Sequence, residues 1–257
     1  MKLLRDIYRH RELFIILVQR NLKIRYKSSA LGFCWTLISP ILLIAIYAIF
    51  LRILRFTIDL PVLVTGIVVW QYLAMCAGDS LHTVVGNVSM VKKSAFPRLV
   101  LPLAMAAANF VNLCLSLAVV GVYLLFAGRT CGPLYLLPLA ILAQLMLVMG
   151  LSALFAALNV YFRDMEHIIG IAMMAWFFIT PVIYPVEYFT SRFGQALQQL
   201  YFLNPMAGIV AMYRAAMLNA PLPEFGLLGP SLLVGVLFLV LGVSVFQQLQ
   251  RGFADII

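Results

Sequence analysis

The side chains able to do chemistry are few in this chain, and their spacing does not bring them together. Only 9 of its 257 residues are Asp or Glu, with 3 His and 4 Cys. His10, His82 and His167 are scattered, and no H-E-x-x-H pair occurs, so a zinc-hydrolase site is not indicated. Cys34, Cys76, Cys114 and Cys131 lack C-x-x-C spacing and lie within or beside apolar stretches. They read as buried small hydrophobes rather than a disulfide framework or a zinc site. None of Lys2, Lys23, Lys27, Lys92 and Lys93 follows a glycine, which excludes a G-x-x-x-x-G-K-[ST] phosphate loop. A G-x-S-x-G elbow is also missing. Asp79, Asp164 and Glu166 are the acids nearest the apolar segments and lie at their ends, which supports no buried proton relay. Energy for any work this chain does must come from elsewhere.

What remains is aromatic and amide chemistry. Phe177, Pro181, Tyr184 and Tyr188 are spaced 4, 3 and 4 apart and share one face if a helix continues through them. Such a ladder can slide past sugar rings, whose C–H faces pack on aromatic surfaces. On spacing alone, an interfacial aromatic belt with ordinary helix packing stands slightly ahead. Asn109, Asn112 and Gln144 fall inside apolar segments. They either line a path or, as is commoner, hydrogen-bond between helices.

The elements that position these residues are set by composition. The chain is 64% hydrophobic and 11% charged, against roughly 45–50% and 25% for soluble domains. Its main solvent is lipid. A spanning helix needs about 20 apolar residues, and six segments meet or approach that: about 31–51, 61–77, 99–127, 132–160, 168–185 and 225–246. Pro40, Pro102, Pro138 and Pro181 fall inside or near the ends of these spans, where kinks or breaks are expected. Six spans put both termini on one side. With the N-terminus inside, 13 Lys and Arg lie on inner segments and 5 on outer ones, so both termini are expected in the cytoplasm. The net charge of +9 is thereby a topology signal that also favours anionic lipid headgroups, and nucleic-acid binding is not implied.

Residues 1–29 show no cleavage-site pattern of a signal peptide. Leu4, Tyr8, Ile15, Val18 and Leu22 form an apolar stripe, with Arg5, Arg9, Glu12, Arg20, Lys23 and Lys27 largely opposite. The pattern predicts an amphipathic helix along the inner membrane surface, serving as an anchor or as a partner contact. Between the last two spans, 186–224 holds two apolar segments too short to cross, Phe193–Leu203 and Met206–Leu218, separated by Asn204-Pro205. They predict re-entrant or interfacial helices. The fold class is therefore an all-α integral membrane protein with six transmembrane helices, an N-terminal interfacial helix and a re-entrant outer pair.

Four motifs go further. They are Arg20-Asn-Leu-Lys-Ile-Arg-Tyr-Lys-Ser-Ser-Ala-Leu31-Gly32-Phe-Cys-Trp35 followed by Pro40; Lys92-Lys93-Ser-Ala-Phe96-Pro97-Arg98-Leu-Val-Leu-Pro102; Tyr161-Phe-Arg163-Asp164-Met with Thr180-Pro181-Val-Ile-Tyr184-Pro185; and Leu203-Asn204-Pro205-Met-Ala-Gly208 with Tyr213-Arg214. In order and spacing they resemble the membrane (permease) subunits of ABC polysaccharide exporters, which carry O-antigen, capsule or teichoic acid precursors. The resemblance covers about residues 20 to 220.

The resemblance implies a homodimer of permeases bound to two copies of a separate ATPase. ATP and Mg would sit on that ATPase, with no cofactor on this chain and no enzymatic activity of its own. It assigns ATPase contact and coupling to Arg20, Lys23, Arg25, Lys92, Lys93, Phe96, Pro97, Arg98, Arg163 and Asp164. For Arg163 and Asp164, capping the ends of spans four and five stands equally. It assigns a gate loop to Leu31 and Gly32, and a polymer path to Trp35, Trp176, Phe177, Pro181, Tyr184 and Tyr188. The cargo would be a lipid-linked polysaccharide, O-antigen before other glycans, crossing a bacterial inner membrane. An exporter of a drug or simple lipid, and a membrane-embedded sugar transferase, are the competing readings. A passive channel is a weaker one.

Overall fold

A computed structural model describes residues 9–26, 32–55, 58–93 and 96–256. Leu4, Arg5, Tyr8, Lys27 and Leu31 lie outside these. The described residues form helices: α1 (Arg11–Tyr26), α2 (Trp35–Leu54, entered through a 3-10 turn at Gly32–Cys34), α3 (Leu60–Val85), α4 (Val88–Lys93), α5 (Val100–Phe126), α6 (Leu136–Tyr161), α7 (Met165–Ile179), α8 (Val186–Thr190), α9 (Gln195–Tyr201), α10 (Pro205–Leu218), α11 (Phe225–Leu249) and, after a second 3-10 turn, α12 (Phe253–Ile256).

Five of these, α2, α3, α5, α6 and α11, are long and apolar enough to cross a bilayer. The segment expected to be the fifth span is shorter than 168–185. Helix α7 covers 15 residues, about 22 Å at 1.5 Å per residue, and stops at Ile179. Pro181 causes the stop. Its ring clashes with the carbonyl four residues back, and it forces the residue before it out of the helical region. Thr180 is accordingly extended, at φ −86° and ψ 143°. The other flagged prolines do not break their helices. Pro102 and Pro138 fall in the first turns of α5 and α6, where the N–H has no intrahelical partner to lose. Helix α2 runs on through Pro40.

The second span is longer than expected. Rather than ending at Ala77, α3 continues past Asp79 to Val85. The acid is tolerated inside the helix because neighbours satisfy it. Arg25 of α1 forms an ion pair with Asp79, and Asn109 Nδ2 of α5 donates to the same carboxylate at 2.9 Å.

Helix α3 lies at the centre and packs against α5, α6 and α10. Gln144 and Asn109 join helices rather than line a channel. Gln144 Nε2 donates to the Val69 carbonyl (2.7 Å) and its Oε1 accepts from the Tyr213 hydroxyl (2.8 Å), tying α6 to α3 and α10. Helices α6 and α11 meet backbone to backbone. A Cβ built on Gly242 would lie 1.9 Å from the Gly150 carbonyl oxygen, so only glycine permits that approach. Helix α10 is buried from Pro205 to Met217, as expected of a helix apolar all round. Ile46, Ile49 and Ile53 of α2, Ile171 and Met174 of α7, and Leu233 and Val240 of α11 face outward. They form the apolar surface that a lipid solvent requires.

Candidate functional site

The helix break after Ile179 is held at the end of the bundle away from α1. Arg214 of α10 reaches across to it. Its Nη1 donates to the Tyr184 carbonyl (2.8 Å), and its Nη2 to those of Val182 (2.8 Å) and Val62 (2.9 Å). Its Nε also donates to Val62 (3.2 Å). Burial lowers the Arg214 pKa to about 10, against the opposing influence of Glu187, so the side chain remains a cation at neutral pH. Gly66 makes room for it, since a Cβ there would lie 2.4 Å from the Val182 oxygen and 2.8 Å from Arg214 Nη2.

Asn204 completes the join. Its Oδ1 accepts from Trp176 Nε1 (2.8 Å) and caps α10 by accepting from the Met206 N–H (3.0 Å), while its Nδ2 donates to Thr180 Oγ1 (3.0 Å). Ser231 of α11 donates to the Phe202 carbonyl at 2.5 Å. The backbone groups freed by the broken helix are thus met by side chains, as buried polar backbone demands.

Beside this join lies a cavity of about 620 Å³, bounded by Asp59, Tyr184, Pro185, Tyr188, Phe189 and Phe193. The Tyr184 and Tyr201 hydroxyls are 3.1 Å apart, and Phe189 stacks on Tyr201 with ring centroids 4.0 Å apart. Arg192 lies over the Tyr188 ring at 4.1 Å. This surface offers stacking faces and hydrogen-bonding groups. Among the described residues, no group of three or more His, Cys, Asp or Glu side chains is placed to hold a metal ion.

The six aromatic-path residues separate. Tyr184 and Tyr188 line the cavity, but not as rungs of one helical ladder, because α7 ends before Pro181. Pro181 is buried. Trp176 and Phe177 pack edge-on against Trp70 inside the bundle, at 6.0 and 5.5 Å, and Trp35 is exposed on α2. Phe189, Phe193 and Asp59 belong to this region without having been singled out by sequence, and Arg214 appeared there only within a motif. For Arg214 a signal existed. It is the only charged residue in the apolar run Met206–Leu218, and such a residue marks a site by default.

The second region is the opposite, basic end. There Leu17 of α1, Val91 of α4, Val100 and Ala104 of α5, Ala157 of α6, Phe246 of α11 and Phe253 of α12 share one apolar cluster. The packed face of α1 is Leu13, Phe14, Leu17 and Val18; of the expected stripe Val18 packs there, whereas Ile15 is exposed. Arg20 lies on the packed side rather than opposite it. Its Nη2 donates to Asn87 Oδ1 (2.8 Å) and its Nη1 faces the Met90 sulfur at 3.8 Å. Asn87, in the turn between α3 and α4, and Met90 of α4 thus hold Arg20 on the packed side of the helix.

Arg25 pairs with Asp79. Arg98 donates to the Gln250 and Val91 carbonyls, fastening the α4–α5 connection to the end of α11. Phe96 packs into the cluster, and Pro97 is half-buried. Lys23, Lys92, Arg163 and Asp164 are exposed, and Gly32 opens the turn into α2 with φ +49°.

The family comparison covers both regions. Residues 12–218 match the ABC-2 type transporter family. The chain belongs to it. An ABC-2 type transporter chain of this kind is a multi-pass membrane subunit, works with a partner ATPase subunit and is not by itself a catalytic enzyme.

Curated relatives extend the match beyond residue 218. An O-antigen export system permease protein RfbA of Myxococcus xanthus is 32% identical over 99% of this chain and 99% of its own. Two proteins of that name from Klebsiella pneumoniae are 30% and 28% identical, each over 96% of this chain and 95% of its own.

Proposed function

We propose that this chain is the permease subunit of an ATP-driven exporter that passes lipid-linked O-antigen polysaccharide across the bacterial inner membrane. The observation that carries the reading is the near full-length match to permeases named for O-antigen export. In this reading two copies form the pore, and each receives one ATPase at its basic, cytoplasmic end. Lys23, Lys92, Lys93, Phe96, Pro97, Arg98, Arg163 and Asp164 form the receiving surface, and Leu31–Gly32 the gate loop. Helix α7 and the extended stretch after it together make the sixth crossing.

Closure of the ATPases presses on α1 and the Lys92–Arg98 segment. The basic-end cluster passes that displacement to α5, α6 and α11, because its members are packed as one unit. The sugar chain leaves past the Tyr184–Tyr188 cavity, where ring faces hold it without fixed hydrogen bonds. The test is deletion and restoration of the gene in its own host. Surface O-antigen should disappear and return, and the chain should copurify with an ATPase. Unchanged surface glycan together with lost resistance to a drug would replace this cargo with a small amphiphile.

A further inference from the structure

A polar cleft of about 420 Å³ opens between α1 and the end of α3, with Arg20, Arg25, Asp79, Thr83 and Asn87 in its walls and Ile24 and Met105 at its edge. Its depth can be read from the chain. Asp59, at the start of α3, pairs with Arg129 at 2.9 Å on an exposed surface, marking one water boundary. Asp79 is 20 residues along the same helix, about 30 Å at 1.5 Å per residue, which matches the thickness of the hydrocarbon core. The cleft therefore lies at headgroup level on the basic side.

Its electrostatics are unbalanced. Two guanidinium groups face one carboxylate, and Arg25 and Asn109 both use that carboxylate. Arg20 Nε and Arg25 Nη1 are buried without an acceptor, and Arg20 Nη1 meets only a thioether, a weak one. Guanidinium forks match tetrahedral oxyanions. Ile24, exposed on α1, and Met105 add apolar surface beside these polar groups. A ligand with an anionic head and a hydrocarbon tail suits both parts.

We infer that this cleft binds the phosphate group of a membrane lipid on the basic side, with Arg20 and Arg25 as its ligands and Asn87 holding Arg20 in place. The site fastens α1 to the membrane through a lipid as well as through Asp79. It stands whatever the cargo is, because binding is read without transport.

Native mass spectrometry of the full chain, purified with its ATPase subunit, tests this with phosphatidic acid and with diacylglycerol of the same chains. The wild type should retain phosphatidic acid about tenfold better. Arg20→Gln and Arg25→Gln should erase that preference. Asn87→Asp should do the same while leaving both arginines in place, which covers the case in which an arginine variant fails to fold. Arg251→Gln, which removes an exposed charge at the same end, should leave the preference intact. Equal retention of the two lipids, or equal loss in Arg251→Gln, overturns the site. Displacement of the lipid by millimolar inorganic phosphate would assign the cleft to a soluble anion and overturn the lipid.

Discussion

Arg214 is a buried cation whose four hydrogen bonds all go to backbone carbonyls, on two separate segments. Its work is geometric. It supplies donors where a broken helix leaves acceptors, and it fixes Tyr184 by that residue's own carbonyl. Arg214→Met strands the Val62, Val182 and Tyr184 oxygens and should destabilise the chain by about 3 kcal/mol. Arg214→Lys should fall between, since an ammonium cannot reproduce the planar fork. Thermal unfolding of the purified chain checks both. Tyr184→Ala removes a ring from the cavity wall while sparing the backbone contact. It should lower export severalfold and leave assembly with the ATPase nearly unchanged. Equal loss of both would return Tyr184 to a packing role. Residue spacing pointed to Tyr184 and Tyr188, whereas Phe189 and Phe193 depended on a turn that spacing does not encode.

Helix boundaries were legible wherever hydrophobic length decided them. The segments expected at 99–127, 132–160 and 225–246 match α5, α6 and α11 to within a few residues. Asn204-Pro205 announced the start of α10, with an Asn cap and Pro at the first position. Other elements depart from the sequence expectation for physical reasons. The expected end of the second span at Ala77 falls short of Val85 because sequence does not show that Arg25 and Asn109 satisfy Asp79. The face of α1 was misassigned because partners for Arg20 lie 67 and 70 residues away in the chain.

The contact between α6 and α11 tests element packing directly. Gly242→Leu would drive a side chain into the Gly150 backbone and should cost about 3 kcal/mol. A fall in the unfolding midpoint of the purified chain, with α6 and α11 separating first under hydrogen exchange, is the expected result. Unaltered stability would mean that the helices can part without loss.

At the scale of the whole molecule, composition identified the solvent, and four motifs identified the family. They left invisible how the two ends differ in construction. One end is joined by hydrogen bonds around a broken helix, and the other by an apolar cluster edged with exposed cations. Replacing Lys92 and Lys93 together by Gln should weaken the stimulation of the partner ATPase severalfold, with dependence on salt as expected for charge contacts reached by solvent ions. ATPase rates of the reconstituted complex at two ionic strengths measure this, and rates equal to wild type would leave these lysines as topology signals alone.

The basic-end cluster also has a consequence for biosynthesis. Leu17 and Val91 belong to the same cluster as Phe246 and Phe253, so the cluster is complete only after those residues are translated, although α1 packs chiefly on α5. Until then α1 has only part of its apolar partner surface, and α6 lacks the neighbour that covers Gly150. The bundle therefore closes from the end of the chain back onto its beginning. A ribosome that stalls before residue 246 leaves a protein already in the membrane, with its basic-end cluster incomplete and open to quality-control proteases.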